Sequence, residues 1–157
     1  MAVTDVSAPG DGLVPPVTVP DAPVPGQLTS VWRVVMVVLW VGVVLAWSAV
    51  WNVSVQLGDP TWWLGTRATP TSPLVRLAPY VAPVLIIVGA IANARHLAWA
   101  GAAAALVFGG YAITDVAGGL GGLAWIEVGI AAAALLASLA GLSGTYRASG
   151  VPVASHA

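Results

Sequence analysis
The sequence predicts an all-α, polytopic membrane protein with four transmembrane helices, and three observations carry that prediction. Of 157 residues, 59% are apolar and 7% are charged, where a soluble domain averages about half and about a quarter. The apolar residues gather into four runs separated by polar or turn-forming segments, and a helical span of the hydrocarbon needs roughly 20 such residues. The first run carries Trp32 and Trp51 at its two ends, as the membrane–water boundary favours an amphipathic indole. The absence of Cys excludes disulfides, thiolate metal sites and cysteine nucleophiles. A net charge of −1 provides no basic field, so no nucleic-acid partner is expected. All five basic residues are Arg, a bias expected of a high-GC bacterial genome.

Residues 1–29 contain Pro9, Pro15, Pro16, Pro20, Pro23 and Pro25, three Asp and no aromatic residue. Such a segment buries too little surface to offset its chain entropy, and it is predicted to be a disordered tail with polyproline II character. The transmembrane domain is expected over 30–147. Its first span, 31–51, has Arg33 as its single charge, and Trp32 to Trp51 covers about 28 Å at 1.5 Å per residue. The net-negative stretch before it and the apolar runs after it argue for an uncleaved span and against a signal peptide. Residues 52–73 form a turn-rich connector in which Trp62-Trp63-Leu64 is too short to cross and is expected to dip onto the membrane surface or the end of the bundle.

The second span, 74–94, starts near Arg76 and contains Pro79 and Pro83 one turn apart, which predicts a bend and frees backbone carbonyls one turn earlier. The third, 97–114, is uncharged and ends at Asp115. Gly-rich turn chemistry leads to the fourth, 123–142, whose single acid is Glu127, and residues 148–157 form a short polar tail. Arg33, Arg95 and Arg147 fall at one set of helix ends, against Arg67 and Arg76 at the other. The excess of positive charge on the cytoplasmic side then predicts a plasma-membrane protein with both termini in the cytoplasm.

Helices associate in lipid through small residues that let backbones approach. Gly101, Ala105 and Gly109 on the third span and Gly129, Ala133, Ala137 and Gly141 on the fourth form such ridges, and the short loop between them predicts an antiparallel hairpin. On the first span Trp40, Trp47 and Trp51 share one face, with Gly42, Ala46 and Ala49 on the other. The small face is expected to meet the bundle. That leaves the Trp stripe, with Trp62 and Trp63 of the connector, to face lipid, a protein partner, or a flat hydrophobic molecule such as a quinone; no cofactor is assigned.

Ionisable groups at membrane depth default to functional hypotheses. Glu127 lies roughly 6 Å below the boundary by helical rise, level with Asp115, Arg76, Tyr80 and Tyr111. These five residues are expected to form a polar cluster in which Arg76 offers its guanidinium to Glu127 or Asp115 and the tyrosine hydroxyls satisfy the remaining lone pairs. The cluster either pins helix register or binds a proton or ion.

Catalytic signals are weak. His96 and His156 are the two histidines, and no phosphate-binding loop, nucleophile elbow or zincin helix is present. No catalytic or metal-binding residues are therefore assigned. The chain reads as a non-enzymatic accessory or scaffold subunit, in contact with lipids and other membrane subunits. The alternative is a small transporter, channel or membrane-permeabilising protein, acting as a homo-oligomer through Glu127 and Asp115.

Overall fold
The computed structural model describes residues 24–58, 61–66, 68–119 and 121–147. Residues 1–23, to which most of the expected tail belongs, and residues 148–157 with His156 lie outside the described residues, as do Asp59 and Arg67. Four helices follow in chain order: α1 (Ser30–Leu57), α2 (Pro73–Ile91), α3 (Leu97–Ala117) and α4 (Gly121–Gly141), with a final 3₁₀ turn at Leu142–Gly144. All four are long and apolar enough to cross a membrane. Their outward surfaces are apolar too, with Val34, Val38 and Leu45 on α1, Leu85 and Val88 on α2, Leu106 and Ile113 on α3, and Leu136 on α4 all exposed. A surface of this kind belongs in lipid. The chain is a multi-pass integral membrane protein.

The helix ends have local causes. α1 outruns the apolar segment that ends at Trp51 because nothing breaks it before Gly58, whose left-handed φ of 78° closes the helix with a bond from its N–H to Ser54 O. Pro73 starts α2 where a missing N–H costs nothing, and the Ser72 side chain caps Val75 N. Asn93 (φ 55°) and His96 (φ 59°) turn the chain sharply between α2 and α3. α3 runs past Asp115 to Ala117, so the acid does not end the span as its polarity suggested.

α3 and α4 pack as the expected closely apposed hairpin. Gly101 packs tightly on α4, since a Cβ there would meet Ser138 Oγ at 2.6 Å. The ridge expected on α4 is nevertheless displaced. Gly129 and Ala133 are exposed, and the buried face is Glu127, Ala131, Ala134, Ser138 and Gly141. On α3, Gly101 and Ala105 are buried as expected, whereas a Cβ on Gly109 would meet nothing within 4 Å.

The larger correction concerns α1. Trp40 and Trp47 are fully buried and Trp51 is half-buried, so the Trp stripe faces inward. The small face, with Gly42 and Ala46, instead borders a lipid-side groove against α4. The cause is volume: α3 and α4 come together through Ala, Gly and Ser, which leave a hollow beside them that bulky rings fill at interior density. Trp40 and Trp47 lie against Phe108 of α3, with ring centroids 6.1 and 5.4 Å away.

Residues 24–29, grouped by sequence with the tail, are tied to the bundle. Gly26 N donates to Tyr146 O, Thr29 N to Gly144 O, His96 N to Gly26 O and Tyr146 N to Gln27 O, all at 2.9–3.0 Å. Leu28 is buried beside them. Backbone hydrogen bonding, which composition does not reveal, orders this segment.

Candidate functional site
The connector between α1 and α2 folds back as a plug. Leu64 N and Gly65 N both donate to Thr61 O, forming a tight turn, and Gly65 takes a left-handed φ of 71° where a Cβ would strike Thr69 O at 2.7 Å. This turn drives Trp63 into the end of the bundle, fully buried, while Trp62 stays part-exposed over Tyr111 with ring centroids 5.1 Å apart. Trp63 meets Trp47 at 5.6 Å and Trp51 at 5.9 Å, both edge to face, the arrangement that ring quadrupoles favour. Of the two sites open to Trp62-Trp63-Leu64, the bundle end is the one occupied.

The plug brings two donors to two acids. Trp62 N donates to Asp115 Oδ1 at 3.0 Å, and Trp63 Nε1 donates to Glu127 Oε1 at 3.3 Å. Asp115, near the end of α3, and Glu127, in the second turn of α4, are both almost wholly buried, and the plug brings the two acids into one neighbourhood. The second oxygens, Asp115 Oδ2 and Glu127 Oε2, are buried with no hydrogen-bond partner. A single proton between the carboxyl groups would serve both oxygens. The site is thus an acid pair closed by indole and backbone N–H groups, able to hold a proton. Among the described residues no group of three His, Cys, Asp or Glu is disposed to hold a metal ion.

Of the five residues expected to cluster, Asp115 and Glu127 are both held by the plug, Tyr111 meets the plug through its ring against Trp62, and Arg76 and Tyr80 have other surroundings. Tyr80 OH lies 3.5 Å from Ser48 Oγ, with its ring against Trp51. Arg76 lines a separate cavity with Trp51, Ser54 and Leu64, and no carboxylate pairs with it among the described residues. The connector tryptophans supply the acids' partners in its place. Sequence reasoning assigned Trp62 and Trp63 to an outer partner face; Trp63 is interior and acts as a hydrogen-bond donor. The signal that pointed to this role was already present, as a Trp pair in a short loop at the membrane level of two acids.

Compared with known proteins, the chain matches no family model, no curated protein and no solved structure.

Proposed function
We propose that the chain is a non-enzymatic accessory or scaffold subunit of a larger complex in the cell membrane, with both termini in the cytoplasm. One observation carries the reading. The protomer fills its own interior with Trp40, Trp47, Trp63 and Phe108, while an apolar groove of about 380 Å³ between α1 and α4 opens to the lipid side. Gly42 and Ala46 form one wall and Gly129 and Ala133 the other, with no atom within 4 Å of a Cβ built on either glycine. Small residues at four-residue spacing on both walls admit the backbone of a further membrane helix at close range. The docking face in this reading is therefore this groove.

The test is recovery of the tagged chain in mild detergent, with particle size and components determined for the native protein and for Gly42→Leu and Gly129→Leu. The expected result is a stoichiometric heteromeric particle that both substitutions dissolve while the subunit itself stays folded. A particle built from this chain alone would overturn the reading.

A second reading, a small oligomeric transporter or channel, draws support from the two carboxylate oxygens without donors at Asp115 and Glu127. Both acids are buried within the protomer, so in this reading a path runs between copies. Proton flux into vesicles carrying the purified chain, abolished by Glu127→Gln, would favour this reading over the first.

A further inference from the structure
Beside the Trp63 plug a cavity of about 270 Å³ opens between the last turns of α1, the connector and the first turn of α2. Trp51, Val55, Leu64 and Pro70 make much of its wall apolar, and Arg76 contributes its charge. The Nε of Arg76 is shielded from solvent and has no hydrogen-bond partner. Asp115 and Glu127, the acids expected from the sequence to pair with it, are engaged by Trp62 and Trp63 instead. A guanidinium N–H shielded from water without an acceptor costs free energy. An anion presenting two oxygens at the spacing of its fork would remove that cost.

Position narrows the chemistry further. Arg76 is the fourth residue of α2, in the first turn of a span, which is the level of the phosphate layer of a bilayer. Close to it, Leu74 and Leu77 of the same helix are exposed apolar side chains along which an acyl chain could run. The positive end of the α2 dipole adds to the attraction for an anion. We propose that the Arg76 cavity is a binding site for a phosphate group, carried by an anionic phospholipid headgroup or presented as free phosphate. This goes beyond the scaffold reading and does not depend on it.

The test titrates the full-length chain in detergent micelles with phosphatidylglycerol, phosphatidylcholine or inorganic phosphate and counts bound molecules by native mass spectrometry. For a lipid source, phosphatidylglycerol binds in preference to phosphatidylcholine and inorganic phosphate does not displace it. For a free-anion source, inorganic phosphate binds and competes. In either case Arg76→Gln weakens binding roughly tenfold, the loss of one charge-assisted pair, and Arg76→Lys weakens it less. Val55→Phe, which fills the cavity and leaves Arg76 in place, weakens it as well, and it decides the matter should Arg76→Gln fail to fold. Binding by folded Arg76→Gln or Val55→Phe equal to that of the native chain overturns the proposal.

Discussion
Two single residues show how little slack the ends of this bundle contain. A Cβ on Gly144 would lie 1.8 Å from Trp32 Cδ1, so Gly144→Ala forces the indole away from the C-terminal turn. Overpacking of this kind costs about 1–3 kcal/mol. Thermal unfolding in detergent is expected to show that loss, with most of it recovered in Gly144→Ala combined with Trp32→Leu, because the two changes share one contact. Glu127 separates two effects of a different kind. Glu127→Ala removes the acceptor of the Trp63 indole N–H and is expected to destabilise by about 1–3 kcal/mol through the orphaned donor alone. Glu127→Gln keeps an oxygen for Trp63 and turns an amide N–H toward Asp115, so its unfolding temperature and Trp emission should stay close to those of the native chain. If the glutamine variant falls as far as the alanine variant, the acid pair is not satisfied in the way described.

At the scale of elements, the four spans were legible in the sequence because hydrophobic length and turn chemistry are local properties, but the faces they present were not. For α1, a face of small residues and a face of tryptophans are both acceptable to lipid and to protein. The choice depends on how much volume α3 and α4 leave between them, which is a property of the pair. For α4, the ridge through Gly129 and Ala133 lost to the burial of Glu127: residues two apart in a helix point about 200° apart, so a buried Glu127 carries Gly129 outward. The position of Arg76 was misread for the related reason that a non-local loop, not a helix, supplied the acids' partners. The inward face of α1 implies a sharp contrast between tryptophans. Trp47→Ala empties a site ringed by Trp63, Phe108 and Tyr111 and should cost about 3–5 kcal/mol. Trp125→Ala, at an exposed position on α4, should change stability by about 0.5 kcal/mol or less. Equal losses in unfolding measurements on the two variants would return the Trp stripe to the outside.

At the scale of the whole molecule, the hydrogen bonds of residues 24–29 to His96 and to residues 144–146 gather the start of α1, the α2–α3 turn and the end of α4 at one end of the bundle. The Trp63 plug, the acid pair and the Arg76 cavity lie at the other. Sidedness therefore assigns every candidate site at once, and the absence of native cysteine makes it simple to measure. Ala68 in the connector and Ser143 in the final turn are both exposed, at opposite ends. If the excess of positive charge sets Arg33, Arg95 and Arg147 at the cytoplasmic face, as proposed, a membrane-impermeant maleimide should label Ala68→Cys in intact cells and Ser143→Cys after permeabilisation alone. That outcome sets the acid pair and the Arg76 cavity at the outer leaflet, where any proton reaches Glu127 from outside and the phosphate group proposed for Arg76 comes from the outer leaflet or the medium beyond it. The inverse pattern would reverse the orientation and turn both sites toward the cytoplasm. There the anionic inner leaflet would hold its headgroups against Arg76 by the field of the surface as well as by the cavity itself.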